Sequence, residues 1–194
     1  MNLLVLGPQG AGKGTQAKRI ASDYDIPHIS TGDMFRAAMA AGTDLGLQVK
    51  AIYDSGSLVP DELTTELVRE RLGEEDAAHG FVLDGYPRNF GQAESLDEIL
   101  AAKGTRVDAA LFFDLPDDVA MERMLARAAN EGRADDTPEA MARRLALYHD
   151  ETEPLVELYR ARGILVPLHA ERSIDAVDAE IGEALRLVEE KDPV

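Results

Sequence analysis

The sequence predicts an α/β fold in which helices cover both faces of a parallel, doubly wound sheet. Short aliphatic segments alternate along the chain with longer amphipathic helical patterns. The aliphatic segments are apolar at successive positions, and strands with that pattern are buried on both faces. A glycine-dense segment that carries a lysine follows the first aliphatic segment directly, which indicates a turn leading into a helix.

The individual elements can be read in chain order. Strands are predicted at residues 2–6, 27–29, 80–83, 109–114 and 164–168. Helices are predicted at residues 13–24, 33–41, 45–55, 61–71, 91–102, 117–129, 138–160 and 174–188. Ligands of doubly wound folds bind where the carboxyl ends of the strands meet. We therefore expect a binding site at the edge that carries Gly7, Ser30, Asp84 and Asp114.

Composition limits the classes of protein to consider. At 194 residues the chain suits a single domain with a sizeable core. Its 37 acidic and 20 basic residues give a net charge of −17, which repels nucleic acids and anionic membranes. The absence of cysteine excludes disulfides and thiolate zinc sites. Because there is no basic leader and no membrane-spanning apolar run, we expect a cytoplasmic protein without nucleic-acid or membrane partners.

The glycine-dense segment from Gly7 to Thr15 predicts a phosphate-binding loop. It reads Gly-Pro-Gln-Gly-Ala-Gly-Lys-Gly-Thr and follows the aliphatic run that ends at Leu6. Glycines let the backbone point several N–H groups inward, and the helix start and Lys13 add positive charge. A strand-turn-helix corner would explain glycines but not the lysine. The pattern matches a P-loop, except that Gly14 stands where Ser or Thr is usual and Thr15 follows one residue later.

Two further segments follow predicted strands and carry an arginine each. In the first, Thr31-Gly32-Asp33-Met34-Phe35-Arg36, helix capping explains the start, and Arg36 one turn later could hold a phosphate. The second reads Asp84-Gly85-Tyr86-Pro87-Arg88-Asn89. An aspartate at a strand end can order the water shell of Mg²⁺, and Arg88 offers a planar fork for phosphate. A glycine-proline turn with incidental charges is the alternative.

Arginines gather in the carboxyl-terminal half of the chain. Arg123 and Arg127 are four residues apart and share a helix face. Arg133 lies in a short polar connection, and Arg143 and Arg144 lie on the next predicted helix. A solvated face is the ordinary explanation of such charges, and we keep it for Arg143. Basic side chains around a helical hairpin in an acidic protein also suggest an anion clamp.

Taken together, the motifs closely resemble those of the adenylate kinases. They read Gly-Pro-Gln-Gly-Ala-Gly-Lys-Gly-Thr-Gln, Ile-Ser-Thr-Gly-Asp-Met-Phe-Arg, Gly-Ser-Leu-Val-Pro-Asp, Leu-Asp-Gly-Tyr-Pro-Arg and Gly-Arg-Ala-Asp-Asp. They occur in matching order from residue 2 to about residue 185, and the Gly14-Thr15 departure is itself characteristic of the family. The resemblance is to the short form, whose lid is a brief loop without a zinc site.

The resemblance implies roles for particular residues. On the ATP side it implies Gly10, Ala11, Gly12, Lys13, Gly14, Thr15, Arg127 and, with less support, Arg172. On the AMP side it implies Thr31, Arg36, Ser57, Leu58, Val59, Gly85, Tyr86, Pro87, Arg88, Gln92, Arg133 and Arg144. The catalytic group would be Lys13, Arg88, Arg123, Arg133 and Arg144. Asp84, with Asp33 as the lesser candidate, would hold Mg²⁺ through water, without a direct protein ligand.

The resemblance also implies a division of the chain and a reaction. A core of residues 1–29, 60–126 and 137–194 would carry an AMP-binding flap, 30–59, and a short lid, 127–136. The implied reaction converts MgATP and AMP reversibly into two ADP, and the implied form is a monomer. Gln92 suits adenine because its amide supplies one donor and one acceptor to the Watson–Crick edge.

Two other functions share some of these features. A UMP/CMP kinase has the same fold, and Asn89 after Pro87-Arg88 occurs in that branch, whereas Thr31 favours AMP. A module that senses nucleotides without turnover is the second, and the full set of basic site residues argues against it. A GTPase is poorly supported, since neither Asn-Lys-x-Asp nor an Asp-x-x-Gly switch is found in the sequence.

Overall fold

The computed structural model describes residues 1–131 and 137–191, and within them five parallel strands form one sheet. The strands are β1 (Asn2–Leu6), β2 (His28–Ser30), β3 (Phe81–Asp84), β4 (Ala109–Asp114) and β5 (Leu165–His169). Their spatial order is β2-β3-β1-β4-β5, and every neighbouring pair runs parallel. The predicted α/β class and parallel sheet are confirmed, with β2, β3 and β5 each displaced by one residue.

Helices connect the strands and cover both faces of the sheet. They are α1 (Lys13–Tyr24), α2 (Thr31–Ala41), α3 (Asp44–Asp54), α4 (Asp61–Leu72), α5 (Phe90–Ala101), α6 (Asp117–Glu131), α7 (Pro138–Leu147), α8 (Pro154–Ala161) and α9 (Ile174–Lys191). A short 3₁₀ helix, Glu75–His79, precedes β3. Across the parts of the chain that the structure describes, no helix combines the length and apolar character needed to cross a membrane.

The single helix predicted at residues 138–160 is wrong. The structure has α7 and α8 with a π-helical turn, Tyr148–Thr152, between them. Pro154, which begins α8, has no N–H to donate to the preceding turn, so the regular hydrogen-bond ladder is interrupted there. The backbone N–H of Glu153 instead bonds the carbonyl of Tyr148 at 2.7 Å, which widens the turn.

Two apolar layers hold the sheet, one on each face. Leu3 and Val5 of β1 belong to a cluster with α1, α6 and α9, whereas Leu4 and Leu6 belong to a cluster with α4, α5 and α8. Successive side chains of a strand point to opposite faces, so one strand contributes to both layers. The strands are therefore apolar at successive positions because both of their faces are buried, as predicted.

Helices α2 and α3 form a protrusion beside the sheet, with an apolar cluster of their own. Phe35 of α2, Val49 of α3 and Val59 are buried together and contact side chains of α4. The two helices lie very close at Gly46, where an added Cβ would be 2.2 Å from the carbonyl oxygen of Ala38. We call residues 30–59 the flap, following the predicted boundaries, which stay a prediction.

The carboxyl ends of the strands meet at one edge, as predicted. Ser30 at the end of β2 pairs with Asp84 at the end of β3, and Val5 of β1 pairs with Asp84 from the other side. The hydroxyl of Ser30 accepts the N–H of Asp33 at 3.3 Å and caps α2. Asp114, at the end of β4, pairs with His169 of β5.

The helix crossing at Gly46 gives a test with an internal control. We expect Gly46→Ala to lower the free energy of unfolding by about 1–3 kcal/mol, because the methyl group overlaps backbone. At Gly182 in α9 an added Cβ meets no described atom within 4 Å. There Gly182→Ala should raise the free energy of unfolding by about 0.5–1 kcal/mol through helix propensity alone. Urea unfolding of both variants measures whether the two changes in unfolding free energy have opposite signs. A Gly46→Ala variant that is more stable than the wild type would contradict the close contact between α2 and α3.

Candidate active site

A cleft of about 530 Å³ opens at the carboxyl edge of the sheet. Ligand sites commonly have volumes of about 300–1,000 Å³. Its described lining includes the loop after β1, the end of β3 and arginines from α2, α6 and α7: Gly10, Gly12, Lys13, Gly14, Thr15, Arg36, Asp84, Gly85, Pro87, Arg88, Arg123, Arg127 and Arg144. We call this the main cleft. It brings together most of the side chains predicted from separate segments of the sequence.

The loop between β1 and α1 holds Lys13 by its own backbone. The ammonium of Lys13 donates to the carbonyl oxygens of Gly7 and Pro8, each at 2.8 Å. The turn is left-handed at Gly10, where φ is +85°, and an added Cβ would lie 2.6 Å from the carbonyl oxygen of Ala120. Glycine is therefore needed there for conformation and for contact with α6. Ala11, also predicted for this site, is buried in the core.

Gly14 lies close to the end of β3, although the space beside it would admit a Cβ. A Cβ added at Gly14 would lie 3.5 Å from Oδ2 of Asp84, within ordinary van der Waals contact. The first turn of α1 and the end of β3 thus lie next to each other at the edge of the main cleft. A phosphate at the amino terminus of α1 would lie within reach of both the helix N–H groups and the water shell of Asp84.

Lys13 and Asp84 have shifted pKa values for related reasons. Burial is the largest influence on the Lys13 ammonium and lowers its pKa to about 8. The charges of Arg88 and Arg127 act in the same direction, and Asp84 opposes them. Burial alone would raise the pKa of the Asp84 carboxyl, but His28, Lys13 and Arg88 outweigh it and lower that pKa. Asp84 therefore remains a carboxylate, while Lys13 is partly discharged in mildly alkaline solution.

Arg88 is surrounded by other cations. Burial, together with the positive charges of Arg144 and Arg36, lowers the pKa of the Arg88 guanidinium, against the opposing influence of Tyr53 and Asp84. Its Nε donates to the carbonyl oxygen of Gly85 at 2.9 Å, so the side chain is aimed by the turn that follows β3. Guanidinium groups gathered around Arg88 in this way form a positively charged site that suits a polyanion.

Tyr53 is a site residue that the sequence reasoning missed. Its hydroxyl accepts a hydrogen bond from Arg36, and its carbonyl oxygen accepts one from Nη2 of Arg144 at 3.2 Å. The guanidinium carbon of Arg144 lies 5.5 Å from the centre of the Tyr53 ring, a cation–π contact. In the sequence Tyr53 resembles any aromatic of an amphipathic helix, so no local signal indicates this role.

A second, small cavity of about 30 Å³ lies under the flap and adjoins the main cleft. Its described lining contains most of the side chains predicted for AMP: Thr31, Ser57, Leu58, Val59, Gly85, Arg88, Gln92 and Arg144. We call it the flap cavity. The hydroxyl of Thr31 donates to the carbonyl oxygen of Gly85 at 3.0 Å. Gly85 has a φ of +82°, and an added Cβ would lie 2.6 Å from that hydroxyl, so only glycine fits.

Some predicted site residues lie elsewhere. The hydroxyl of Tyr86 pairs with Thr65 at 2.9 Å in the core, and Tyr86 is not among the described residues lining either cavity. Arg172 is 55% exposed, lies 3.7 Å from Glu180, and is likewise absent from the described lining of the main cleft. Arg133 lies outside the described residues. The assignment of these residues to substrate stays a prediction.

Helix α6 supplies two arginines to the main cleft, and their predicted role toward ATP stays a prediction. Arg123 donates from Nη1 to the carbonyl oxygen of Ala170 at 2.9 Å and from Nη2 to that of Glu171 at 3.2 Å. Arg127, one turn later, lines the same cleft. Arg143, predicted to be solvated, is exposed but also donates to the hydroxyl of Ser57 at 3.0 Å, which joins α7 to the flap.

The described residues contain no group of three or more His, Cys, Asp or Glu side chains arranged to hold a metal ion. Asp84 and Asp33 nevertheless both line the main cleft, and Asp33 pairs with Arg36. A deprotonated carboxylate opposite the loop fits an Mg²⁺ ion held through water, since Mg²⁺ retains several waters. His28, not predicted for the site, lines the cleft with Nε2 3.5 Å from Oδ2 of Asp84.

These features define a class of protein: an α/β domain that binds phosphate chains between a P-loop and a cluster of arginines. Comparison with known proteins narrows the class. The family model described as adenylate kinase matches residues 5–164. The chain is 50% identical over 181 residues to an adenylate kinase of Bifidobacterium longum (strain NCC 2705), with 93% of this chain and 97% of that protein covered.

Two further relatives agree. An adenylate kinase of Stenotrophomonas maltophilia (strain K279a) is 46% identical over 186 residues, covering 96% of this chain and 100% of its own. One from Xanthomonas campestris pv. campestris (strain 8004) is 46% identical over 185 residues, covering 95% and 99%. The chain belongs to the adenylate kinase family, and the resemblance found in its motifs is confirmed.

The lowered pKa of Lys13 predicts how nucleotide affinity depends on pH. Bound phosphate stabilises the ammonium, so above pH about 8 binding must take up a proton that the free site has lost. We expect the dissociation constant for ATP to rise with pH in that range, by up to about tenfold per pH unit. Calorimetry from pH 7.5 to 9.5 measures it. Lys13→Met should bind weakly with a flat profile, and an equal slope in that variant contradicts the assignment to Lys13.

Proposed function

We propose that this chain catalyses the reversible transfer of a phosphoryl group from MgATP to AMP, which gives two ADP. The main support is that the main cleft, which contains the P-loop, adjoins the flap cavity and shares lining residues with it. Arg88 and Arg144 line both spaces, and Lys13 lies on the loop side. Adjoining spaces that share these arginines fit two substrates whose phosphates meet between them.

The chemistry asked of the side chains is electrostatic. A phosphate oxygen of AMP, already an anion, attacks the γ-phosphorus of ATP, and the bond from that phosphorus to the β-phosphate oxygen breaks. No general base is needed. The arginines and Lys13 hold the reacting groups in line and stabilise charge on the transferred group. Mg²⁺, when bound to the ATP phosphates, neutralises part of their charge, and Asp84 and Asp33 are the residues that would hold its water shell.

Water must be kept from the γ-phosphate, since water would hydrolyse ATP. Contacts between the flap and α7 support a role for the flap in that exclusion. An added Cβ at Gly56 would lie 2.6 Å from the carbonyl oxygen of Ala140, and Arg143 donates to Ser57. Residues 132–136 of the short lid proposed at 127–136 lie outside the described residues. We propose that the chain acts as a monomer, as the resemblance of its motifs implies.

The alternatives are less well supported. Asn89, the residue that pointed toward UMP/CMP kinases, accepts the N–H of Gln92 at 2.9 Å and caps α5. Its side chain therefore has a structural explanation that is independent of the substrate base. A sensing module without turnover is less well supported because the main cleft is lined by Lys13, Arg88 and Arg144. Binding alone would not require so many cations at the junction of the two spaces.

The direct test is ADP formation from ATP with AMP, CMP, UMP or GMP as the acceptor, with and without Mg²⁺. We expect AMP to be strongly preferred and Mg²⁺ to be required. An analogue that joins two adenosines through five phosphates should bind tightly, because it spans both positions at once. Activity with CMP and UMP but little with AMP would favour the pyrimidine branch. Tight nucleotide binding without ADP formation would favour a sensor.

Replacing Arg88 tests its place in the reaction. We expect Arg88→Lys to lower kcat by about 10²-fold or more, because an ammonium cannot reproduce a bidentate fork at the transferred group. The KM for AMP should rise far less. Arg69→Lys is the matched control, since Arg69 is an exposed arginine of α4 that pairs only loosely, at 3.5 Å, with Glu66. An unchanged kcat for Arg88→Lys would remove Arg88 from the transition state.

A further inference from the structure

Asp61, which the motifs assign no role, contacts the residue proposed to read the base. It lies in the first turn of α4, and its Oδ1 accepts Nε2 of Gln92 at 2.7 Å. The same carboxylate accepts Nδ2 of Asn89, at 3.2 Å to Oδ1 and 3.0 Å to Oδ2. Two side-chain amides of the segment after β3 are therefore tied to one carboxylate of the preceding helix.

The carbonyl oxygen of the Gln92 side-chain amide is also hydrogen-bonded. Its Oε1 accepts the backbone N–H of Arg88 at 2.8 Å. The carboxylate of Asp61 can only accept, and the N–H of Arg88 can only donate. An amide turned by 180° would place oxygen against the carboxylate and NH₂ against the N–H. Both hydrogen bonds would then be lost in a place where Gln92 is 2% exposed and water cannot replace them.

The fixed amide still has capacity for a ligand. A primary amide has two N–H donors and two acceptor positions on oxygen. One donor is used by Asp61 and one acceptor position by Arg88, so one of each remains. Gln92 lines the flap cavity, which would have to widen to admit the base that the proposed function places beside this amide. A 6-amino purine donates from N6 and accepts at N1, whereas a 6-oxo purine accepts at O6 and donates from N1. The two bases require opposite orientations of the amide.

We infer that Asp61 is a positioning residue for base specificity: together with the Arg88 N–H it locks the Gln92 amide in the orientation that suits a 6-amino base and rejects a 6-oxo base. This inference rests on the proposed function, because it concerns the acceptor nucleotide of that same reaction. It adds a residue outside the base cavity to the control of which nucleotide reacts.

A purely structural role for Asp61 makes a different prediction. Carboxylates in the first turn stabilise a helix through its dipole, and Asp61 also joins α4 to α5. If that were its entire role, replacing it would lower thermal stability and weaken all acceptors alike. Specificity, the ratio between two acceptors, would not change.

The experiment compares AMP with inosine monophosphate, which differs at position 6 and has no added 2-amino group. Asp61→Asn has nearly the same shape, but its side chain can turn to donate or accept. We expect the ratio of kcat/KM for AMP to that for inosine monophosphate to fall about tenfold, the loss of one hydrogen bond's discrimination. The change should arise mainly in KM. Glu62→Gln, which removes one negative charge from the same turn at an exposed position, should leave the ratio unchanged.

The outcomes distinguish failure of the role inferred for Asp61 from failure of the proposed function. An unchanged ratio in folded Asp61→Asn, or an equal loss with both acceptors, overturns the role of Asp61. Asp61→Ser serves as the second variant, because its hydroxyl also donates and accepts. If neither variant folds, the residue is structural and the inference fails. A wild-type protein that forms no ADP from AMP and ATP would instead overturn the proposed function itself.

Discussion

Repulsion among positive side chains is the constraint on which the rest of the structure depends. Burial is the main reason why the pKa values of Arg88 and Lys13 are lowered, and nearby cations add to it: Arg144 and Arg36 for Arg88, and Arg88 and Arg127 for Lys13. Cations gathered in partly buried space destabilise a folded chain, whereas the phosphates of two nucleotides would turn the same arrangement into a strong attraction. Because the net charge of the chain is −17, this attraction must be local.

The two apolar layers supply the stability that offsets this repulsion. Backbone groups fix the positions of the charged side chains. Strand β1 contributes Leu3 to one layer and Leu4 to the other, and it ends directly before the P-loop. Carbonyl oxygens then aim the charged groups: those of Gly7 and Pro8 hold Lys13, and that of Gly85 holds Arg88. Backbone atoms fixed by a buried sheet move little, so the cations remain oriented for in-line transfer.

Much of the fold could be predicted because its signals are local. The strand Ala109–Asp114 and the helix Lys13–Tyr24 have the predicted bounds. An apolar run marks the strand and a glycine-lysine segment marks the helix start, and each signal consists of consecutive residues. The prediction of one helix at 138–160 was wrong because of Pro154. The helical spacing of apolar residues continues past this proline, but the regular backbone hydrogen bonds of the helix do not. The P-loop and the residues Arg36 and Arg88 could be located for the same reason, since each lies in a short motif that follows a strand.

The sequence by itself therefore determined the sheet, the phosphate loop and the family, because each depends on short patterns and on the rule that parallel strands end at one edge. Only the tertiary structure decided which side chains meet there. It joined Tyr53 to Arg36 and Arg144, and it turned Tyr86 into the core. These contacts join helices and loops far apart in the chain, and their geometry follows from packing, which no local pattern encodes.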